Sequence, residues 1–126
     1  MVHLKILLVE DNSYWQKILE SRIRRALKGL GYQDSDYTIK VVDTFDEAYQ
    51  ALQENAWHLL VTDVELKDSS TTTKEKLGTE LVPVAKHRNV PTLTVAGTEP
   101  LPNYNYFPKQ NFDGKEFINQ VQMLLK

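Results

Sequence analysis

The chain has 126 residues, with 41% hydrophobic and 25% charged side chains, and 15 Lys+Arg against 17 Asp+Glu leave a formal charge of -2. One globular domain spanning residues 1–126 with a real core is expected. The absence of cysteine excludes a disulfide framework, a thiolate zinc site and a cysteine nucleophile; the near-balanced charge argues against direct nucleic-acid binding, and no apolar run approaches the ~20 residues that span a bilayer.

No signal-peptide pattern precedes the first strand, so a soluble cytoplasmic domain is expected. Residues 4–9 form an apolar run that suits a strand buried on both faces. It ends in Glu10-Asp11-Asn12, where Asn12 or Ser13 can cap a helix. Trp15, Ile18, Leu19, Ile23, Ala26, Leu27 and Leu30 then recur at helical spacing, with Lys17, Arg22, Arg24, Arg25 and Lys28 mostly between them. Gly29 and Gly31 end that helix.

Residues 37–42 read as a second strand, and Thr44 with Glu47 has the spacing of a capping box at the start of a short helix. Residues 57–62 read as a third strand that ends at Asp63. The polar run 67–76 cannot bury a face and reads as an exposed loop. Residues 77–88 read as a helix; with Thr79 as its N-cap, Pro83 falls in the first turn, where a missing N–H costs no intrahelical bond. Residues 91–95 and 104–107 read as the fourth and fifth strands, and Asp113 opens a last helix through Phe117, Ile118, Val121, Leu124 and Leu125. Alternating strands and helices demand a parallel sheet covered on both faces. The α/β class follows, as a flavodoxin-like doubly wound sheet of five strands in order 2-1-3-4-5.

In such a sheet, ligands bind at the carboxyl ends of the strands beside the switch point. The polar residues at those ends are Glu10, Asp11, Asp63 and Lys109. Three converging carboxylates raise one another's pKa, and a hard divalent cation relieves the repulsion. Any one of these acids alone reads as a helix-start or loop acid; the four residues at one sheet edge read as a site. His3, His58 and His87 form no metal spacing and are expected to be structural. The basic residues of the first helix read as a solvated face, with docking of an acidic partner as the functional alternative.

These segments resemble the receiver domain of bacterial two-component response regulators. The resemblance runs along nearly the whole chain through residues 5–12, 44–48, 59–64, 78–81, Val90-Pro91 and 106–109. It implies that Asp63 accepts a phosphoryl group from a histidine kinase. It implies that Glu10, Asp11, Asp63 and the backbone carbonyl of Glu65 hold Mg²⁺, and that Lys109 pairs with the phosphoryl oxygens. It implies a signalling module, not an enzyme acting on other substrates. Its partners would be a sensor histidine kinase or phosphotransfer protein and an output partner that the sequence does not identify, with no membrane or nucleic acid. The chain ends with the last helix, so it reads as a free-standing regulator or one domain of a longer protein.

The chain also departs from the family. The family's Ser or Thr at the end of strand 4 is Ala96 here, and Thr98 could replace it only by a shift of register. Tyr106 stands at the family's aromatic switch, or else is an edge-strand aromatic. Gln110 follows the lysine in place of the usual proline. The stretch from Asp63 to Gly78 is about twice the family's usual length. Between Ala96 and Lys109 there is little room for a helix of ~7 residues as well as strand 5, so the fourth helix is expected to be missing or reduced. The alternative to a working phosphoacceptor with atypical output is a degenerate receiver that serves as an interaction module without phosphorylation.

Overall fold

The computed structural model describes residues 3–64, 78–97 and 106–126. Five parallel strands form one sheet in the order β2-β1-β3-β4-β5. They are β1 (Leu4–Val9), β2 (Tyr37–Val42), β3 (Leu59–Asp63), β4 (Thr92–Ala96) and β5 (Tyr106–Pro108). Four α-helices accompany them among the described residues: α1 (Ser13–Gly29), α2 (Phe45–Glu54), α3 (Gly78–His87) and α4 (Gly114–Leu125). The flavodoxin-like expectation holds in strand number, direction and order.

The alternation within β1 divides the core in two. Ile6 and Leu8 pack with Leu19, Ile23, Leu27 and Phe117 from α1 and α4. Leu7 and Val9 point to the other face and meet Ala48, Leu52, Leu81 and Ala85 from α2 and α3. All six residues of β1 but Lys5 are buried, which is why its sequence is apolar nearly throughout.

The capping signals at Asn12, Thr44 and Asp113 act as read. Asn12 Oδ1 accepts the Trp15 N–H at 3.1 Å, Thr44 accepts from Glu47 N, and Asp113 Oδ1 accepts from Lys115 N and Glu116 N at 3.1 Å each. Several boundaries differ from the sequence reading, β4 being Thr92–Ala96 and β5 running to Pro108. Regular β3 begins at Leu59, because Trp57 turns its indole N–H onto the Ala51 carbonyl at 2.8 Å, while the His58 ring Nδ1 accepts the Lys5 N–H at 3.0 Å. A short 3-10 turn, Asp34–Asp36, precedes β2. α3 begins at Gly78, so Thr79 is a helical residue and not its N-cap, and Pro83 lies in the second turn. The proline removes the N–H that would have met the Thr79 carbonyl.

The loop 67–76, the Glu65 carbonyl, Thr98 and the stretch 98–103 where the fourth helix would fall lie outside the described residues. No helix among the described residues is long and apolar enough to cross a membrane.

Candidate functional site

Strand register brings the acids together. Val9 is paired with Thr62, so Glu10 and Asp63, one residue further along, emerge side by side at the carboxyl edge. Asp11 follows on the turn into α1. One ligand oxygen from each of Glu10, Asp11 and Asp63 lies within 4.8 Å of the others. Lys109 arrives from the far side of the sheet. Ala96 is paired with Pro108, and the Lys109 N–H continues that ladder onto the Ala96 carbonyl at 2.8 Å. Its ammonium lies 2.6 Å from Glu10 Oε1 and 3.3 Å from Asp63 Oδ2.

Glu10 is fully buried and Asp63 nearly so. The Glu10 carboxyl is pushed up to about 7, by burial first and by the neighbouring Asp63 second. Lys109 and the Asn12 N–H, which donates to Glu10 Oε2 at 3.1 Å, oppose the rise without cancelling it. Among the described residues, the Lys109 ammonium thus lies against two of the three acids, Glu10 and Asp63, in a desolvated place. Oxygen donors of this kind fit a hard divalent cation, which keeps waters and takes a few carboxylates.

The expected residues Glu10, Asp11, Asp63 and Lys109 therefore meet at one sheet edge. Tyr106 is half-buried at the start of β5, opposite Thr94. Ala96 is buried at the end of β4. The histidines lie elsewhere: His3 Nε2 is 2.7 Å from Thr38 Oγ1, His58 holds the Lys5 N–H, and His87 ends α3. The basic residues Arg24, Arg25 and Lys28 are exposed and line a cavity of about 770 Å³ with Tyr32, Asp34 and Tyr37. That cavity lies toward the far end of α1, about 20 Å of helix from the acids, and is not their site.

Two contributors escaped the sequence reading. Gln16 Nε2 donates to the Glu10 carbonyl at 2.6 Å and pins the chain where it leaves β1. Trp15, read only as an apolar helix position, faces the Lys109 ammonium, 5.2 Å from its ring centroid. The available signal was a large aromatic in the first helical turn after an acidic pair.

No protein-family model matches the chain, and neither does any curated protein. Solved structures do. The chain is similar to a chemotaxis response regulator of Vibrio cholerae, at 17% identity over 98% of this chain and 100% of that one, with a TM-score of 0.68. It is similar to the receiver domain of a sensor histidine kinase from Pseudomonas aeruginosa, at 20% identity over 98% of each chain and a TM-score of 0.68. That structure has a magnesium ion coordinated in its active-site cleft. A third, the receiver domain of HemR from Leptospira biflexa, is 21% identical over 98% of this chain and 94% of that one, with a TM-score of 0.66. The fold is that of a response-regulator receiver domain. This receiver fold carries its acids and lysine at the carboxyl edge of the sheet, with Ala96 at the end of β4.

Proposed function

We propose that the chain is a signalling receiver that accepts a phosphoryl group on Asp63 from a sensor histidine kinase or a phosphotransfer protein in the cytoplasm. The observation that carries this reading is the Lys109 ammonium between Glu10 and Asp63, with Asp11 beside them. Glu10, Asp11 and Asp63 are the residues that would hold Mg²⁺. Bound there, the ion would supply neutralising charge for the acids and for phosphoryl oxygens.

Asp63 acts as the nucleophile. Its carboxylate oxygen forms the P–O bond as the P–N bond of a donor phosphohistidine breaks, and the departing imidazole nitrogen takes up a proton. Lys109 exchanges its contact with Asp63 for one with a phosphoryl oxygen, so that the charge carried in by the group meets a positioned cation. Phosphotransfer to, and hydrolysis from, its own Asp63 would be its only catalysis. The output partner differs in kind or in docking surface from the family's usual one.

One observation favours the second reading, a receiver used as an interaction module without phosphorylation. Ala96 is buried where the family has a Ser or Thr, and its methyl group offers no donor to a phosphoryl oxygen. Intact mass after incubation with acetyl phosphate and Mg²⁺ separates the two. The first reading expects a gain of one phosphoryl group that Asp63→Asn abolishes. An unchanged mass in a folded, Mg²⁺-binding protein would leave the second.

A further inference from the structure

Among the described residues, the Lys109 ammonium has three side-chain neighbours of two kinds. Glu10 and Asp63 are carboxylates that a cation and an incoming phosphoryl group would claim; Trp15 is not. An indole face attracts an ammonium through its quadrupole, without adding formal charge and without using a carboxylate oxygen. It is therefore the partner that remains when the carboxylates are engaged.

The ring is itself held. Trp15 meets Phe112 edge-on, with centroids 5.3 Å apart and planes at 74°. Phe112 packs on Phe107 at 5.4 Å and on Phe117 at 5.5 Å, and both of those are buried. This aromatic chain joins the first turn of α1 to β5 and α4. Phe107 lies two residues before Lys109 on the same strand end, so the same cluster that fixes the indole also fixes the root of the lysine. A long, flexible side chain is thereby given one place to rest.

We propose that Trp15 is a positioning residue: its indole face seats the Lys109 ammonium over the acidic cluster and keeps it there while Glu10 and Asp63 take other partners. The reaction this serves rests on the phosphoacceptor reading; the seat itself does not.

The experiment uses the full chain with ¹³C-labelled lysine, as wild type, Trp15→Phe and Trp15→Leu. In the wild type, ring current should move the Lys109 ε-methylene upfield of the other lysines. The phenylalanine variant should keep part of that shift and the leucine variant should lose it. With acetyl phosphate and saturating Mg²⁺, Trp15→Leu should be phosphorylated about 3- to 20-fold more slowly, and Trp15→Phe should recover most of the rate. Mg²⁺ affinity should stay within about twofold in both, because an indole ring supplies no oxygen ligand; a purely structural role would not produce this split. Should the leucine variant not fold, Trp15→Met, which also fills the space without a π face, carries the same expectations.

A folded leucine or methionine variant that is phosphorylated at the wild-type rate would overturn the role of Trp15, as would a Lys109 shift that ignores the substitution. A wild-type protein that takes no phosphoryl group would overturn the phosphoacceptor reading, and Trp15's part in that reaction with it. The lysine shift is read on unphosphorylated protein and still decides the seat.

Discussion

Gly78 lies directly against the main chain of Asp63. A Cβ at Gly78 would collide with the Asp63 carbonyl oxygen and sit 2.9 Å from its carbonyl carbon. The Gly78 N–H donates to the Val64 carbonyl at 3.0 Å, so the first residue of α3 is locked onto the strand end that presents the candidate acceptor. Thr62 Oγ1 donates to the same Asp63 carbonyl at 3.0 Å. The acid is thus held from its backbone as well as by Lys109.

The first prediction concerns this contact. Gly78→Ala forces apart two main chains that cannot yield as a side chain could. A loss of about 1–3 kcal/mol is expected. For a domain of this size that lowers Tm by several degrees. Mg²⁺ affinity should also weaken, because Asp63 must shift with its carbonyl. A melting curve that overlays the wild type would show that the contact is not rigid.

The second concerns pH. Glu10 has a folded-state pKa of about 7 against an ordinary 4.5, so between those values the folded protein holds a proton that the unfolded chain releases. The stability from this proton is fully present below pH 4.5 and is lost as pH rises through about 7. Urea denaturation of metal-free protein should therefore show the midpoint falling across that window. Glu10→Gln should flatten the dependence. Mg²⁺ competes with the proton, so its apparent affinity should rise across the same window. A pH-independent Mg²⁺ affinity would contradict this assignment.

The third concerns Lys109→Met. The substitution removes the ammonium that lies on both Glu10 and Asp63. The cost without metal should be no more than about 3 kcal/mol, because Glu10 can take up a proton in place of the lysine. Mg²⁺ should bind more tightly, since a competing cation is gone. Phosphorylation by acetyl phosphate should nevertheless slow by about tenfold or more, because the phosphoryl oxygens lose a positioned donor. Calorimetric titration and intact mass on the same preparation read the two effects; weaker Mg²⁺ binding together with slow phosphorylation would instead mean a collapsed site.

The fourth concerns Ala96. A methyl group makes no differential contact with a phosphoryl group, and a modification shifts an equilibrium only by such differences. A beryllofluoride mimic at Asp63 should therefore change amide exchange at Tyr106 and Phe107 only slightly. In Ala96→Ser the added hydroxyl should make that change larger. An equal, large response in both proteins would mean that Tyr106 is coupled to the site without a hydroxyl.

Local rules acted through neighbours in sequence, and those features could be read directly. Two-residue and helical periodicity, the caps at Asn12, Thr44 and Asp113, and the β-α alternation place the five strands, and the general preference for crossover connections then orders them. The acids could be found because they end strands that must be neighbours in that order. Other features depend on what packing brings to a residue from far away in the chain. Glu10 is buried by the folded chain, and its pKa is raised by that burial first and by the Asp63 that β3 delivers beside it second. Thr79 has a capping residue's chemistry, yet α3 begins one residue earlier, where only a glycine fits against Asp63. Trp15 has the spacing of any apolar helix residue; the Lys109 ammonium that faces it comes from the other end of the sheet, through contacts that no local pattern encodes.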